Sequence, residues 1–273
     1  MALRPYPGKK NPLGFEKIAV CENCSFGKVV TQLTQSDLDK FYQEGHYWYD
    51  AAVSHSTKAH NTFQAEMRVT AVLRENGAPK LKILDVGAGM GDVGFYLLKQ
   101  RPQAVYHFIE LDEDARQKIQ ANLPAASIID ARQSSDDDYD VIFLNHVLEH
   151  TLDPAAFINA FKAKLRSGGL LYIEVPNRDD KFKGDVFPHT LFFSRQSLEI
   201  LVKKTDIHLQ RLQTFGRNPR PGQLIKDRIM AGFFHRLTKF KALNPLSKIL
   251  DDKLFQYNVE SSSGIWHGLL VRK

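Results

Sequence analysis

Two cysteines in 273 residues are too few for a disulfide framework, and their spacing, Cys21-Glu-Asn-Cys24, suits metal or thiol chemistry in a reducing compartment. No apolar run approaches the roughly 18 residues that span a bilayer. The opening Met1-Ala-Leu-Arg-Pro-Tyr-Pro-Gly-Lys-Lys has no apolar core of a secretory signal, so a cytoplasmic protein is expected. Internal repeats and low-complexity tracts are missing as well. So is a basic excess over most of the chain: residues 1–215 carry 26 Lys and Arg against 27 Asp and Glu, whereas residues 216–273 carry 11 against 4. That distribution argues against a uniformly basic nucleic-acid binder and directs the charge of the tail at an anionic or membrane-borne partner. What is present, 43% hydrophobic and 25% charged residues, is ordinary for a folded chain with room for one large α/β domain and an appendage.

From about residue 80, apolar β-rich runs alternate with helical patterns, which predicts parallel βαβ units. Strands are expected at Leu81–Val86, Ala104–Glu110, Ser127–Asp130, Asp140–Asn145, Gly169–Val175, Ile207–Thr214 and Gly264–Arg272. Helices are expected at His60–Asn76, Val93–Gln100, Asp114–Asn122, Pro154–Arg166 and Ser194–Lys204, with Ser167-Gly168-Gly169 ending the fourth. Near-continuous apolar strands imply a sheet covered on both faces. The organisation predicted is an N-terminal arm over 1–59, a core over 60–215, a basic insertion over 216–263 and a last core strand over 264–273.

The strongest motif is Leu81-Lys-Ile-Leu-Asp85-Val-Gly87-Ala-Gly89-Met-Gly91-Asp92, a strand running into a glycine-rich turn that opens a helix. Such a turn lets a ligand approach the backbone at the carboxyl edge of a sheet. A dinucleotide site would want its third glycine at position 92, which is Asp92, and two carboxylates suit a pyrophosphate poorly. An ammonium-bearing ligand would find them favourable. Glu110, 19 residues beyond Gly91 at the end of the second strand, can accept hydrogen bonds from both hydroxyls of a ribose.

These residues, together with Tyr139-Asp-Val-Ile-Phe-Leu-Asn-His-Val-Leu-Glu-His150 and Leu165-Arg-Ser-Gly-Gly-Leu-Leu-Tyr-Ile-Glu-Val-Pro-Asn177, resemble the class I S-adenosylmethionine-dependent methyltransferases. Within them the resemblance is to the small-molecule subgroup of ubiquinone-biosynthesis and sugar methyltransferases, over roughly residues 60–215. It implies a Rossmann-like α/β sheet of seven strands, mostly parallel with an antiparallel last strand and helices on both faces. It also implies a cofactor, S-adenosylmethionine. Asp85, Gly87 and Gly89 would hold its methionine end, with Ala88 and Gly91 completing the loop. Glu110, with Leu111 beside it, would take the ribose; Asp130 or Ala131 would border the adenine; and Asn145 would lie by the sulfonium.

His146-Val-Leu-Glu149-His150 also matches a zinc-protease pattern, but it follows an apolar strand and precedes Asp153-Pro154, which leaves too little helix for that fold. On one helical turn His146, Glu149 and His150 would share a face. Three uses stay open there: capping, a base for the acceptor, or a divalent cation. Some quinone O-methyltransferases that this segment resembles hold such a cation with acids and a histidine, but position 146, their first acid, is a histidine here. His189, in Phe187-Pro-His-Thr-Leu-Phe-Phe-Ser194, joins His146 and His150 as a candidate base.

Cys21–Tyr49 resembles the end of a zinc module that precedes some sugar C-methyltransferases, without its first cysteine pair, and the cysteines are read as metal-free. The aromatic stretch Phe41–Tyr49 is a candidate cover for a sulfonium. In the insertion Ile225, Ile229, Phe233 and Leu237 recur every four residues among Lys226, Arg228, Arg236, Lys239 and Lys241, an amphipathic basic helix over 224–241. It is either a lid or a contact with an anionic membrane or a lipid-linked acceptor. The expected acceptor is a small-molecule hydroxyl, on a saccharide or glycan precursor or, alternatively, on a quinone. A methyltransferase-like binding module without catalysis is the reading from another class.

Overall fold

The computed structural model describes residues 1–7, 11–43, 55–123, 127–128, 138–177, 186–215 and 266–273, with backbone alone at 55–60, 63 and 127–128. Asp130, Ala131, the distal part of the aromatic stretch and the basic insertion lie outside the described residues.

A seven-stranded sheet organises the chain. Its strands are β4 (Lys82–Val86), β5 (Val105–Ile109), β6 (Ser127–Ile128), β7 (Tyr139–Asn145), β8 (Leu165–Pro176), β10 (His208–Phe215) and β11 (Trp266–Arg272). Their order across the sheet is β10-β11-β8-β7-β4-β5-β6. The pairs β4–β5, β4–β7, β5–β6 and β7–β8 are parallel, and β11 runs antiparallel to both β8 and β10. This is the mostly parallel sheet with an antiparallel last strand that the sequence implied.

Side chains alternate across it, and both faces are dry. Leu84, Ile142, Leu144, Leu171 and Ile173 pack with Ile158 and Phe161 of α5 (Pro154–Lys164) and with Leu198 and Val202 of α6 (Arg195–Lys204). Ile83, Val141, Phe143, Tyr106 and Phe108 pack on the opposite face. Their partners there are Val69 and Val72 of α2 (His55–Glu75), Leu97 of α3 (Asp92–Gln100) and Ile119 of α4 (Glu113–Asn122). Two covered faces account for strands that read as continuous apolar runs. Three helix starts follow from their caps: the side chains of Asp112, Asp153 and Ser194 accept first-turn N–H groups of α4, α5 and α6.

One helix end needs correction, and the N-terminal arm has a structure that the sequence did not announce. The fourth helix stops at Lys164, because Leu165 is already extended (φ −77°, ψ 140°) and pairs with Tyr139, so β8 begins four residues before Gly169. The N-terminal arm is a sheet of its own, in which β1 (Ala2–Pro5), β2 (Lys17–Val20), β3 (Gly27–Val29) and β9 (Leu191–Phe192) lie in that order. Tyr6, Phe15, Ile18, Val29, Val186 and Phe192 form its core. Its fourth strand comes from the segment just after His189, so the arm is tied to the chain that follows β8. A short helix, α1 (Gln35–Gln43), follows it.

Candidate active site

β4 and β7 end side by side at the carboxyl edge. After β4 the chain turns through Gly87, Gly89 and Gly91 at φ +66°, +57° and +77°, a left-handed path that glycine alone follows without strain. The N–H groups of Gly87 and Ala88 donate to the Ile109 carbonyl (2.8 and 3.2 Å), tying the loop to the end of β5. A Cβ at Gly87 would stand 2.6 Å from the Val147 side chain. Glu110 closes the arrangement: one carboxylate oxygen accepts from Gly89 N–H (2.7 Å), and the other from Leu111 N–H (2.8 Å) and Asp112 N–H (3.0 Å). Burial raises its pKa above the ordinary value against those three bonds.

Asp85 lies beneath this loop, fully buried. Its Oδ2 accepts from the Tyr106 hydroxyl at 2.7 Å, and its Oδ1 has no hydrogen-bond partner among the described residues. Burial pushes its pKa up to about 7; the Tyr106 bond and the Arg68 charge pull it down, while Glu110 and Asp92 add to the rise. Asn145, at the end of β7, is likewise buried with an unpartnered Oδ1. A buried, unsatisfied acceptor is costly and marks a place where a donor-bearing ligand fits.

Beyond Asn145 the expected helical face of three residues is absent. His146 takes φ +54°, and the turn proper is a 3₁₀ helix over Leu148–His150. His146 still meets Glu149, with Nδ1 3.2 Å from Oε1, and its Nε2 lies 2.9 Å from Glu174 Oε1. Glu174, a charge in the middle of an apolar strand, is also held by Arg68 Nε (3.0 Å) and by the Tyr172 hydroxyl (3.2 Å). Burial opposes the His146 charge, but the bonds to Glu149 and Glu174 overcome it and raise its pKa to about 9. For Glu149, burial is overcome by His146 and the neighbouring histidines, and its pKa falls to about 2.

His150 and His189 stand together with ring centroids 4.8 Å apart. Tyr42 of α1 bonds His150 Nδ1 through its hydroxyl (2.6 Å), the imidazole also bonds the Pro188 carbonyl, and burial lowers the His150 pKa to about 3. His189 is buried, and its backbone carbonyl accepts from the Tyr6 hydroxyl at 3.0 Å. Thr190 donates from its backbone N–H (2.8 Å) and its side chain (3.0 Å) to the Glu149 carbonyl. Ligand-type atoms of Glu149, His150 and His189 all lie within 4.8 Å of one another. The three candidate histidines are thus brought to one place. Arg68, Glu174 and Tyr106 were missed in the sequence, although a lone acid inside Leu170–Val175 was a signal for the second, and Tyr42, expected within the aromatic stretch as a cover, is found as the partner of His150.

The sequence model of a family described as a methyltransferase domain matches residues 59–216. The chain belongs to that family. Among curated relatives, the methyltransferase is 25% identical to a ubiquinone biosynthesis O-methyltransferase of Hydrogenovibrio crunogenus, over 78% of this chain and 86% of that one. It is 31% identical to the protein of the same name from Xanthomonas axonopodis pv. citri, over 53% of this chain and 62% of that one. Among solved structures it is similar to the 1,6-didemethyltoxoflavin-N1-methyltransferase of Burkholderia thailandensis, bound to 1,6-didemethyltoxoflavin and S-adenosylhomocysteine. The TM-score is 0.53 at 16% identity, over 93% of this chain and 97% of that one. The class I S-adenosylmethionine-dependent methyltransferase family expected from the glycine loop and its companions is therefore the right one. Among the described residues no helix of the methyltransferase is long and apolar enough to cross a membrane.

Proposed function

We propose that the chain transfers the methyl group of S-adenosylmethionine to a hydroxyl of a small aromatic molecule of the quinone or phenol class. The observation that carries the donor is Asp85: a buried carboxylate with one unsatisfied oxygen under a glycine turn fits the α-ammonium of the methionine end. Gly87, Ala88, Gly89 and Gly91 give the backbone approach. Glu110 spends three of its four lone-pair sites on the loop and keeps one, on the oxygen that accepts from Gly89, for a ribose hydroxyl, with Leu111 beside it. Asn145 offers its unsatisfied oxygen near the sulfonium end, and Asp130 or Ala131 is assigned to the adenine border.

The names of the curated relatives support a quinone or phenol acceptor, and so does an aromatic cluster two residues before His189, in which Phe187 packs on Phe41 (5.3 Å) and on Phe15 (5.7 Å). A saccharide acceptor, the first expectation, has no comparable support, and the same holds for the lipid-linked or membrane-borne one that the charge of the tail suggested.

When bound, the cofactor supplies a methyl carbon activated by its sulfonium, and displacement by the acceptor oxygen leaves the thioether. The chain must align the acceptor and receive its proton. His146 already carries a proton and both its nitrogens are spoken for, and His150 is bridged between Tyr42 and Pro188. His189, whose ring stands beside the Glu149 carboxylate, is the assigned base. The Glu149 carboxylate, close by with Oε2 unpartnered among the described residues, stabilises the imidazolium formed on it. Replacement of His189 by Ala, measured across pH with a panel of phenols, tests this: the limb that reports the base should vanish. An unaltered profile would remove His189 from the role.

A further inference from the structure

We infer that His146 is the resident cation of this site, occupying between Glu149 and Glu174 the position in which a divalent metal ion would otherwise be gripped. Its two ring nitrogens lie 3.2 and 2.9 Å from carboxylate oxygens of two different residues. An ionised carboxylate only accepts hydrogen bonds, so both nitrogens must donate, and a ring that donates twice is an imidazolium. The charges then alternate in space, Arg68, Glu174, His146, Glu149, and cancel in two pairs. Arg68, Glu149 and Glu174 are buried, and His146, 31% exposed at its side chain, presents the row to the open side of the site.

The backbone is committed to this arrangement too. His146 holds a left-handed φ of +54° while its N–H donates to the Glu174 carbonyl at 2.9 Å, so main chain and ring are both fixed on the same strand residue. A divalent ion drawn to Glu149 would find Oε1 taken by His146, only Oε2 open beside His189, and a fixed positive charge next to it. Of the other donors nearby, His150 is engaged by Tyr42 and by the Pro188 carbonyl. The metal-holding pattern that this segment resembles therefore does not fit these residues. His146 acts instead as a positioning residue that keeps Glu149 ionised and turned, with Oε2 left for the chemistry around His189.

Calorimetric titration with Mg²⁺ and with Mn²⁺ should show no stoichiometric site in the wild type, and millimolar Mn²⁺ should leave its melting temperature unchanged. His146→Glu places three carboxylates around an empty centre and should acquire a one-to-one Mn²⁺ site with a melting temperature that rises on addition of the ion; His146→Gln should not. One Mn²⁺ bound by the wild type and lost in Glu149→Gln would overturn the inference, as would a folded His146→Glu that binds no ion. Should that variant not fold, nitrogen NMR of the wild type decides. The imidazole signal that disappears in His146→Gln is expected to be doubly protonated near neutral pH, and a neutral tautomer would refute the assignment.

Discussion

Acidification should weaken S-adenosylmethionine binding through one residue. Free Asp85 is held near 7 by burial, with Glu110 and Asp92 raising it and Tyr106 and Arg68 lowering it. The proton is therefore bound more tightly in the folded chain than in the unfolded one. Its contribution to stability is complete below the ordinary carboxylate range and is lost as pH rises through about 7. Cofactor binding runs the other way, because an ammonium group needs the carboxylate and expels the proton. Affinity should rise by up to tenfold per pH unit below 7 and level off above. Between pH 5.5 and 7.5 the change amounts to about 25-fold, or ~2 kcal/mol at about 1.4 kcal/mol per unit. Calorimetry in buffers of different ionisation heat should count about one proton released near pH 6. Asp85→Asn should bind more weakly and without this slope. Equal affinity at the two pH values would refute the placement of the ammonium at Asp85.

The same site yields further expectations. Tyr106→Phe removes the hydrogen bond that lowers the Asp85 pKa, so the midpoint of the binding profile should move to higher pH; a downward move would contradict the geometry. His189→Ala should cut kcat by roughly 10²–10⁴-fold with cofactor affinity unchanged in calorimetry, and an equal loss of both would mean a structural role. Gly94→Ala would set a Cβ 2.4 Å from the Tyr106 ring inside α3. Overpacking of that kind costs about 1–3 kcal/mol, more than the helix gains from alanine, and a melting temperature at or above wild type would disprove the contact.

Much of the large sheet was legible because its signal is local. β4, β5 and β7 are short apolar runs between a glycine turn or a polar break, and α5 and α6 begin at Asp153 and Ser194, whose side chains cap them. The small sheet was not legible. β1, β2 and β3 are only three or four residues long, and the partner that completes them, Leu191–Phe192, is more than 150 residues away. The glycine loop was legible from its spacing, since left-handed turns demand that residue at Gly87, Gly89 and Gly91. The histidine cluster was half legible: the three residues stand out in the sequence, but their states depend on partners from other elements. Glu174 of β8 and Arg68 of α2 make His146 a cation, and Tyr42 of α1 ties down His150. Such contacts leave only a charged residue in an apolar stretch as their trace in the sequence.

The most direct test of the whole account is transfer of an isotopically labelled methyl group from S-adenosylmethionine to a panel of phenols, saccharides and amines, with products identified by mass spectrometry. Label on the oxygen of a phenolic or quinol hydroxyl, lost together with cofactor binding in Glu110→Ala, is the predicted result. Label confined to nitrogen or to sugar hydroxyls, or no binding of S-adenosylmethionine below millimolar concentration, would contradict it.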